Sequence, residues 1–285
     1  MDFINYFVPV FFISILIESI YLYKTGPELF KIKDSFTSIA MGLGTVLIDT
    51  VFTKVIVLAI YTFVYQYSFF KIESSILAWI AILFLEDFCY YWFHRVSHES
   101  RFFWASHVVH HSSESYNLST AVRQTWSGTI INTVFWIPLL LIGFSPVMVM
   151  IQQSVSLIYQ FFIHTETVKT LGILETVMNT PAHHRVHHGS DLKYLDRNYA
   201  GIFIIWDRLF KTFQQEEELP KYGLVKNIHT HNPFIVAFKE WSNILKDCFK
   251  AKKLFHLFGY IFAAPGWSPE GGTTTAELRK STRKV

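Results

Sequence analysis

Long apolar segments are the feature of this sequence that most constrains its fold. Residues 3–23 are nearly uninterrupted apart from Glu18, and residues 75–93 form another apolar run. Residues 36–70 are long enough for a tilted span, or for a span followed by a membrane-embedded turn. Because a helix needs roughly 20 apolar residues to cross a bilayer, these segments predict a membrane protein.

Two further apolar stretches flank a Gly-Phe-Ser-Pro turn at residues 143–146. Residues 129–141 are short for a full crossing, whereas residues 147–163 approach the required length. The pair predicts a hairpin, for which a partial crossing stays open.

Composition favours the same class. Hydrophobic residues make up 51% of the chain, and the mean hydropathy is +0.28, which is high for a soluble protein. A soluble all-α protein with an unusually apolar core is the alternative, but residues 3–23 have no polar stripe that could face water. We therefore expect an all-α fold with four to five apolar membrane segments and a cytosolic helical cap that carries the histidines described next.

Eight of the 13 histidines fall in three short clusters. Residues three and four apart share one face of a helix, so each cluster can direct its imidazoles at one point. Neutral imidazole is the commonest nitrogen ligand of transition metals. Eight ligands are too many for one ion with room for a substrate, and they predict a dinuclear site. The clusters are His94 and His98; His107, His110 and His111; and His184, His187 and His188.

The number of imidazoles also bears on the metal. Structural zinc sites usually include cysteine, and hydrolytic zinc needs only three protein ligands. Four or five imidazoles per ion with one open position suit non-haem iron, although ligand type alone leaves zinc, copper and manganese open. Two iron ions at the ends of membrane helices could oxidise a long-chain lipid, a reaction for which amino-acid side chains do not suffice.

Basic residues predict the orientation. Lysine and arginine surround all three histidine clusters, and lysines also lie in the loop after the first segment. Residues 66–74, in contrast, contain one basic residue, Lys71. If basic loops stay cytosolic, every histidine cluster lies on the cytosolic face, in the endoplasmic reticulum of a eukaryote or the cytoplasmic membrane of a bacterium. Cys89 and Cys248 offer no disulfide framework, which fits a reducing compartment.

Four regions follow from these patterns. Residues 1–75 hold the N-terminal membrane segments, and residues 76–215 hold the three histidine clusters in a catalytic domain. Residues 216–264 contain an amphipathic helix, predicted over residues 233–249, that lies on the membrane or against the catalytic domain. Residues 265–285 are rich in Gly, Thr, Lys and Arg and predict a disordered basic tail.

The histidine clusters carry a family resemblance. Residues 87–99 (DFCYYWFHRVSHE), 107–111 (HVVHH) and 179–189 (NTPAHHRVHHG) resemble the histidine boxes of the fatty acid hydroxylase and sterol desaturase superfamily. The last box is followed by LDRNYAG at residues 195–201 and WDRLF at residues 206–210. Within the superfamily, the His98-Glu99 pair, residues 162–166 (FIHTE) and residues 265–267 (PGW) most resemble the alkylglycerol monooxygenase family.

The resemblance implies a di-iron, O2-dependent oxidoreductase that acts on a membrane lipid. Alkylglycerol monooxygenases hydroxylate the carbon next to an ether oxygen, and the product collapses to an aldehyde and glycerol. They take electrons from tetrahydrobiopterin, whereas other members use protein donors to hydroxylate or desaturate sterols, fatty acids, sphingoid or ornithine lipids; that broader class is the alternative. The chain carries no recognisable haem or reductase motif, so we expect an external electron donor. We expect no nucleic-acid partner.

Two other histidines lie close to the clusters. His164 ends an apolar segment and is expected as a ninth ligand, although Gln160 stands where some superfamily members have a further histidine. His183 could replace His184 as a ligand, but the repeated spacing favours His184. His229 and His231 are interpreted as surface residues.

Several non-histidine residues are candidates for supporting roles. Glu99 follows His98 directly; it is either an exposed helix residue or a functional group that bridges metal, orients a ligand or contacts the pterin, as the resemblance implies. Asp87 lies seven residues before His94, and a buried acid must be paired, so we expect it to orient a histidine. Asp196, Asn198 and Tyr199 either act likewise or cap the next helix.

The access route to the site is expected from the bilayer. An apolar slot between the third segment and the hairpin would admit a lipid chain, and longer chains would gain about 0.8 kcal/mol per buried methylene. The predicted lining includes Trp126, Phe135, Phe161 and Phe162.

Overall fold

The computed structural model describes residues 3–26 and 30–282. Among these residues there is no β-strand, only two isolated bridges, so the predicted all-α class is confirmed. The α-helices are α1 (Val8–Thr25), α2 (Ile32–Ile48), α3 (Lys54–Tyr65), α4 (Ile76–Glu99), α5 (Arg101–His111), α6 (Leu118–Ala121), α7 (Gly128–Asn132), α8 (Ile137–Ile142), α9 (Pro146–Ile163), α10 (Pro181–His187), α11 (Ile205–Leu209), α12 (Pro233–Cys248), α13 (Leu254–Phe262) and α14 (Thr275–Thr282).

Four helical segments are long and apolar enough to cross a membrane: Val8–Thr25, Ile32–Tyr65, Ile76–Glu99 and Pro146–Ile163. Most side chains of the first two lie unburied although they are apolar, which fits contact with lipid rather than water. The predicted membrane segments are therefore confirmed as long helices.

The second segment is one long helix rather than a span followed by a turn. α2 continues into α3 through a π-helical turn, Asp49–Thr53, without an interruption of the helical segment Ile32–Tyr65. A π-turn widens a helix locally and leaves carbonyl groups less regularly paired. Asp49 in this turn accepts a hydrogen bond from Thr129 at 3.4 Å, which joins the turn to α7.

The predicted hairpin is present, and its first arm is irregular. α7, a 3-10 turn at Thr133–Trp136 and α8 together make a short apolar stretch before α9. Gly143 at the bend has a φ of 125°, which favours glycine. A Cβ atom there would lie 2.4 Å from the carbonyl oxygen of Phe70, so the loop after α3 packs directly on this bend.

α4 and α9 form the frame beneath the histidines. Ser75 caps α4 by accepting a hydrogen bond from Ala78, and Ser145 caps α9, which has proline in its first turn. Tyr61, Ile82, Leu140 and other apolar residues from α3, α4, α8 and α9 make one core cluster between them.

The predicted amphipathic helix forms over Pro233–Cys248 and packs against the catalytic domain. Trp241 donates to the Ser127 hydroxyl at 3.1 Å, and Arg101 pairs with Glu240 at 2.7 Å. Phe234, Phe238 and Leu245, on the same stripe as Trp241, stay exposed, so this helix buries one face and leaves an adjoining apolar stripe exposed.

The described part of the tail differs from the expected disorder. α14 forms at Thr275–Thr282, and Arg279 donates to the carbonyl oxygen of Leu195 at 2.5 Å. Trp267 packs so closely on Gly259 that a Cβ atom there would clash with its ring. Tertiary contacts therefore order a segment whose composition alone favours disorder.

Candidate metal centre

Four helices bring nine histidines to one end of the α4–α9 frame. His94 and His98 are one turn apart on α4, and His107, His110 and His111 occupy the last turns of α5. His164 caps the end of α9, and α10 supplies the last three, with His188 as its cap residue. All nine rings are buried except that of His107, which is partly buried.

The nine imidazoles divide into two groups, and within each group the available nitrogen atoms lie within 4.8 Å of one another. The first group has five members and the second has four. The groups are His94, His98, His107, His111 and His187; and His110, His164, His184 and His188.

The division cuts through both His-x2-His-His clusters. In α5 the residues at positions i and i+4, His107 and His111, join the first group, while His110 joins the second. In α10 the assignment is reversed, because His184 and His188 join the second group and only His187 joins the first. α5 and α10 therefore each contribute to both groups, and the two groups lie side by side.

The spacing of nitrogen atoms fits metal binding. The Nε2 atoms of His94 and His107 are 3.0 Å apart, and those of His107 and His111 are 3.1 Å apart. In the second group the Nε2 atoms of His164 and His184 are 3.0 Å apart. Two imidazole nitrogens bound at right angles to one ion at about 2.1 Å would lie about 3.0 Å apart.

Backbone carbonyls hold several rings from behind. Nδ1 of His94 lies 2.8 Å from the carbonyl oxygen of Tyr199, and Nδ1 of His187 lies 2.9 Å from that of Arg197. Nδ1 of His164 lies 2.7 Å from the carbonyl oxygen of Gln160. A carbonyl can only accept, so each Nδ1 carries the proton and the lone pair of Nε2 points into its group.

Four buried ring nitrogens of these nine histidines have no hydrogen-bond partner within the described part of the chain: Nε2 of His98 and His188, and Nδ1 of His110 and His184. An unpaired buried polar atom is costly. Nε2 of His98 belongs to the first group and Nε2 of His188 to the second, and a cation bound in each group would satisfy these two atoms.

The protonation state is also suitable. Burial lowers the pKa of His107, His110 and His111, since desolvation disfavours the imidazolium, and neighbouring histidines lower it further. Burial likewise lowers the pKa of His164 to about 3, against a hydrogen bond to Gln160 that raises it. These imidazoles are neutral at neutral pH, which is the form that binds metal.

Comparisons with known proteins place this site in a family. Residues 79–212 match the family model described as fatty acid hydroxylase. This segment is similar to a fatty acid hydroxylase domain. The matched segment contains all nine histidines of the two groups.

Homologues extend the match beyond the fatty acid hydroxylase domain. The alkylglycerol monooxygenase of Homo sapiens is 39% identical over 272 residues, which cover 94% of this chain and 60% of that protein. The alkylglycerol monooxygenase of Caenorhabditis elegans is 38% identical over 88% of this chain and 52% of its own length. The chain thus spans about 60% or less of these curated relatives.

A more distant relative is the ornithine lipid hydroxylase OlsE of Rhizobium tropici, 31% identical over 46% of this chain and 40% of its own length. No solved structure matches the chain significantly.

A cavity of about 430 Å3 reaches the histidines of the hydroxylase domain from the membrane helices. His107 of the first group and His110 and His164 of the second line it, so one bound molecule could approach both groups. Of the four aromatic residues predicted to line the route, only Phe161 does so. Another part of the cavity lining comes from α1 and α2, whose position beside the site no sequence motif predicted. It includes Phe11, Ile15, Ile39 and Leu43.

Asp196 contacts a histidine directly: its Oδ1 lies 3.4 Å from Nδ1 of His98. Burial alone would raise the pKa of Asp196, but hydrogen bonds from His98 and Thr275 hold it below its usual value. Tyr199 supports His94 through its carbonyl oxygen, and its ring packs against His98 and His187. Asn198 makes no hydrogen bond to a ring of either group within the described residues; its amide instead donates to the carbonyls of His183 and Gln214.

The expectation that Asp87 orients a histidine is not met. Its carboxylate accepts hydrogen bonds from the backbone of Ile202 and Phe203 and from the Trp206 indole. It thus holds the loop whose carbonyls support His94 and His187. Asp207, which the sequence did not single out, does the same from the other side by accepting from the backbone of Tyr199 and Ala200 at 2.9 and 2.8 Å.

The predicted catalytic residue Glu99 lies outside both groups. Its carboxylate is half exposed and accepts a hydrogen bond from Arg95 at 2.9 Å. Metal bridging by Glu99 has no support in this arrangement, and contact with an external reductant stays a prediction. His229 and His231 are exposed, as predicted, and His183 belongs to neither group.

Two polar anchors of the site were missed in the sequence because they lie on helices without motifs. Glu18 on α1 accepts hydrogen bonds from the backbone of Leu118 and from the Thr165 hydroxyl, next to His164. Asp34 on α2 pairs with buried Arg123 at 3.2 Å, and Arg123 donates to the Val109 carbonyl beside His110. The only sequence signal is that of Glu18, an acid within an apolar segment, whereas Asp34 lies in the polar stretch before the second segment.

Proposed function

We propose that this protein is a membrane-bound, O2-dependent, non-haem di-iron oxygenase that cleaves glyceryl ether lipids. The name of its relatives, the alkylglycerol monooxygenases, indicates this class of substrate. The observation that carries the proposal is the pair of adjacent histidine groups at the end of a largely apolar cavity. Neither a soluble substrate nor a structural metal would need that combination.

The first group would hold one iron ion and the second group the other. Five and four neutral imidazoles provide more nitrogen ligands than hydrolytic zinc needs, and they allow an open position at each ion. The bound iron would supply activation of dioxygen and the oxidation of an unactivated C–H bond.

The chain's own residues bind and orient. Asp196 and the carbonyl oxygens of Tyr199, Arg197 and Gln160 fix ring orientation and tautomer. The apolar wall of the cavity binds the alkyl chain and excludes water from the histidines. Phe161 stacks on Phe11 with ring centroids 4.2 Å apart, which closes part of this wall.

The overall reaction would insert one oxygen atom of O2 into the C–H bond next to the ether oxygen and reduce the other to water with two electrons and two protons. The hemiacetal so formed would break its C–O bond to release a fatty aldehyde and glycerol. The homologues over 94% of the chain support the ether substrate. The ornithine lipid relative supports the broader class of lipid hydroxylation as the alternative.

The electrons would come from an external donor, for which tetrahydrobiopterin is the candidate. The rim near His98, where Arg95 and Glu99 form an exposed ion pair, is the surface we assign to that donor. With basic loops inside, the four long helices would make several crossings and this rim would face the cytosol.

The test is metal analysis of purified full-length protein, followed by oxygen consumption with 1-O-hexadecylglycerol and tetrahydrobiopterin. We expect close to two iron ions per chain, and aldehyde release that stops without oxygen. Sterol, fatty acid, sphingoid and ornithine lipids with other reductants serve as competing substrates. Turnover of one of these, with none of the glyceryl ether, would replace the ether-cleavage proposal. Turnover without oxygen would overturn the oxygenase class.

A further inference from the structure

The cavity beneath the histidines has two chemically different walls. One consists of apolar residues from α1, α2, α6 and α9, including Phe11, Ile15 and Phe161. The other comes from α3, α4 and the irregular arm of the hairpin, and it contains Tyr61, Glu86 and Asn132. A volume of about 430 Å3 is within the range of small-ligand sites.

Glu86 is the unusual residue of the second wall. It lies within the membrane-length helix α4, and its side chain is fully buried. Trp136 donates its indole hydrogen to Oε1 at 3.0 Å. Oε2 has no hydrogen-bond partner within the described chain, although the Ser156 hydroxyl is near the carboxyl group. An intramembrane acid is costly and usually marks a functional site.

A second unpaired acceptor lies on the same wall. Oδ1 of Asn132 is buried and, among the described residues, has no donor. Asn132 precedes Trp136 by four residues, so it lies about one helical turn from the residue that binds Glu86. Both side chains line the cavity that also contains His107.

We propose that Glu86 and Asn132 form a binding site for two hydroxyl groups of the lipid substrate. Oε2 of Glu86 and Oδ1 of Asn132 each accept a hydrogen bond from one substrate hydroxyl. Such a bond is favourable because a buried carboxyl or amide oxygen without a donor is costly. A hydrocarbon chain alone offers no donor. A vicinal diol offers two, and the opposite wall takes its alkyl chain.

This site deepens the proposed function, on which it rests, by assigning the orientation of the substrate. Glu86 is eight positions before His94, roughly 12 Å along α4. The side chains at the two ends and a three-carbon headgroup together span that length. With the hydroxyls at Glu86, the ether carbon lies toward the histidines and the alkyl chain lies along α1 and α2.

The experiment compares two lipids that differ only in donors: 1-O-hexadecylglycerol and its 2,3-di-O-methyl ether. Binding to purified full-length protein is measured without oxygen, by competition against radiolabelled 1-O-hexadecylglycerol, so that no turnover occurs. We expect the parent to prefer the diol by about tenfold or more, since a site built to accept a hydroxyl hydrogen rejects a ligand that lacks it.

Glu86→Gln should remove most of this preference, because the new amide NH2 can donate to either lipid and cannot accept. Asn132→Leu should reduce it by a smaller factor. Glu73→Gln, in the exposed loop before α4, is the matched control and should keep the parental preference. Iron content should stay at the parental level in all three variants.

Equal binding of the two lipids by the parent would overturn the proposal, and so would an unchanged preference in Glu86→Gln. If that variant does not fold, the parental preference and its reduction in Asn132→Leu decide the question. Diol binding that depends on Glu86, without aldehyde release in oxygen, would keep this site and refute ether cleavage. Equal cleavage of both lipids would keep the proposed ether cleavage and refute this hydroxyl-binding site.

Discussion

Asp196→Asn should weaken metal binding in one histidine group and leave the other unchanged. Asp196 has a φ of 53°, a conformation that asparagine tolerates and that would strain alanine. The substitution therefore keeps the backbone and one acceptor oxygen while it removes the negative charge beside Nδ1 of His98. Among the described residues, Asp196 forms an ion pair with His98 and with no histidine of the second group.

The magnitude follows from the geometry. Loss of a hydrogen-bonded partner behind a metal-binding histidine typically lowers metal affinity by about 10 to 100-fold. The 3.4 Å contact is long and the Asp196 side chain is 30% exposed, so solvent screens part of the charge. We therefore expect the lower end, about tenfold, which corresponds to about 1.4 kcal/mol.

The assay is metal content per chain after equilibration with increasing chelator. Asp196→Asn should lose one ion per chain at about tenfold lower chelator than the parent, and the second ion at the parental concentration. Asp191→Asn, five residues earlier in the same loop, removes a carboxylate that accepts from the backbone of Lys221 and should behave like the parent. Equal weakening of both ions, or of neither, would refute the division into two groups.

Four other outcomes are expected. His110→Ala should abolish turnover and lower metal content, whereas His229→Ala should change neither; an active His110→Ala enzyme with full metal would contradict the site. Glu99→Gln should lose pterin-dependent turnover with unchanged Tm, beside a neutral Glu114→Gln control, and normal turnover would remove Glu99 from the mechanism. KM should fall as the substrate's alkyl chain lengthens, and equal KM values would argue against the apolar wall. Metal-free protein should lose thermal stability as pH falls below about 6.5, because buried imidazoles such as His164, with a pKa of about 3, take up protons only on unfolding; a flat Tm between pH 7 and 5 would refute this.

The histidine site was largely predictable because its spacing is local. His107, His110 and His111 lie on adjacent turns of one helix, so their convergence follows from helical geometry alone. The assignment of His110 to a different group from its neighbours was not predictable. It depends on His164 and His184, whose positions are set by contacts between helices far apart in sequence.

The membrane helices were predictable as elements and not as parts of the site. An apolar run reports its length and hydropathy, and these do not state which helix it packs against. Glu18 was visible as the one acid in the first segment, but its partners, Leu118 and Thr165, are 100 and 147 residues away. The wall that α1 contributes to the cavity follows from that long-range contact.

Asp87 shows how a correct premise can lead to the wrong partner. The premise that a buried acid must be paired is met, by three hydrogen bonds from the loop at residues 202–206 rather than by a histidine. Because Asp207 binds the same loop at Tyr199 and Ala200, two acids fix the backbone whose carbonyls hold His94 and His187. Asp87 therefore acts on the metal ligands through the main chain, and its replacement by asparagine should disturb both rings together, which a direct contact with one ring would not do.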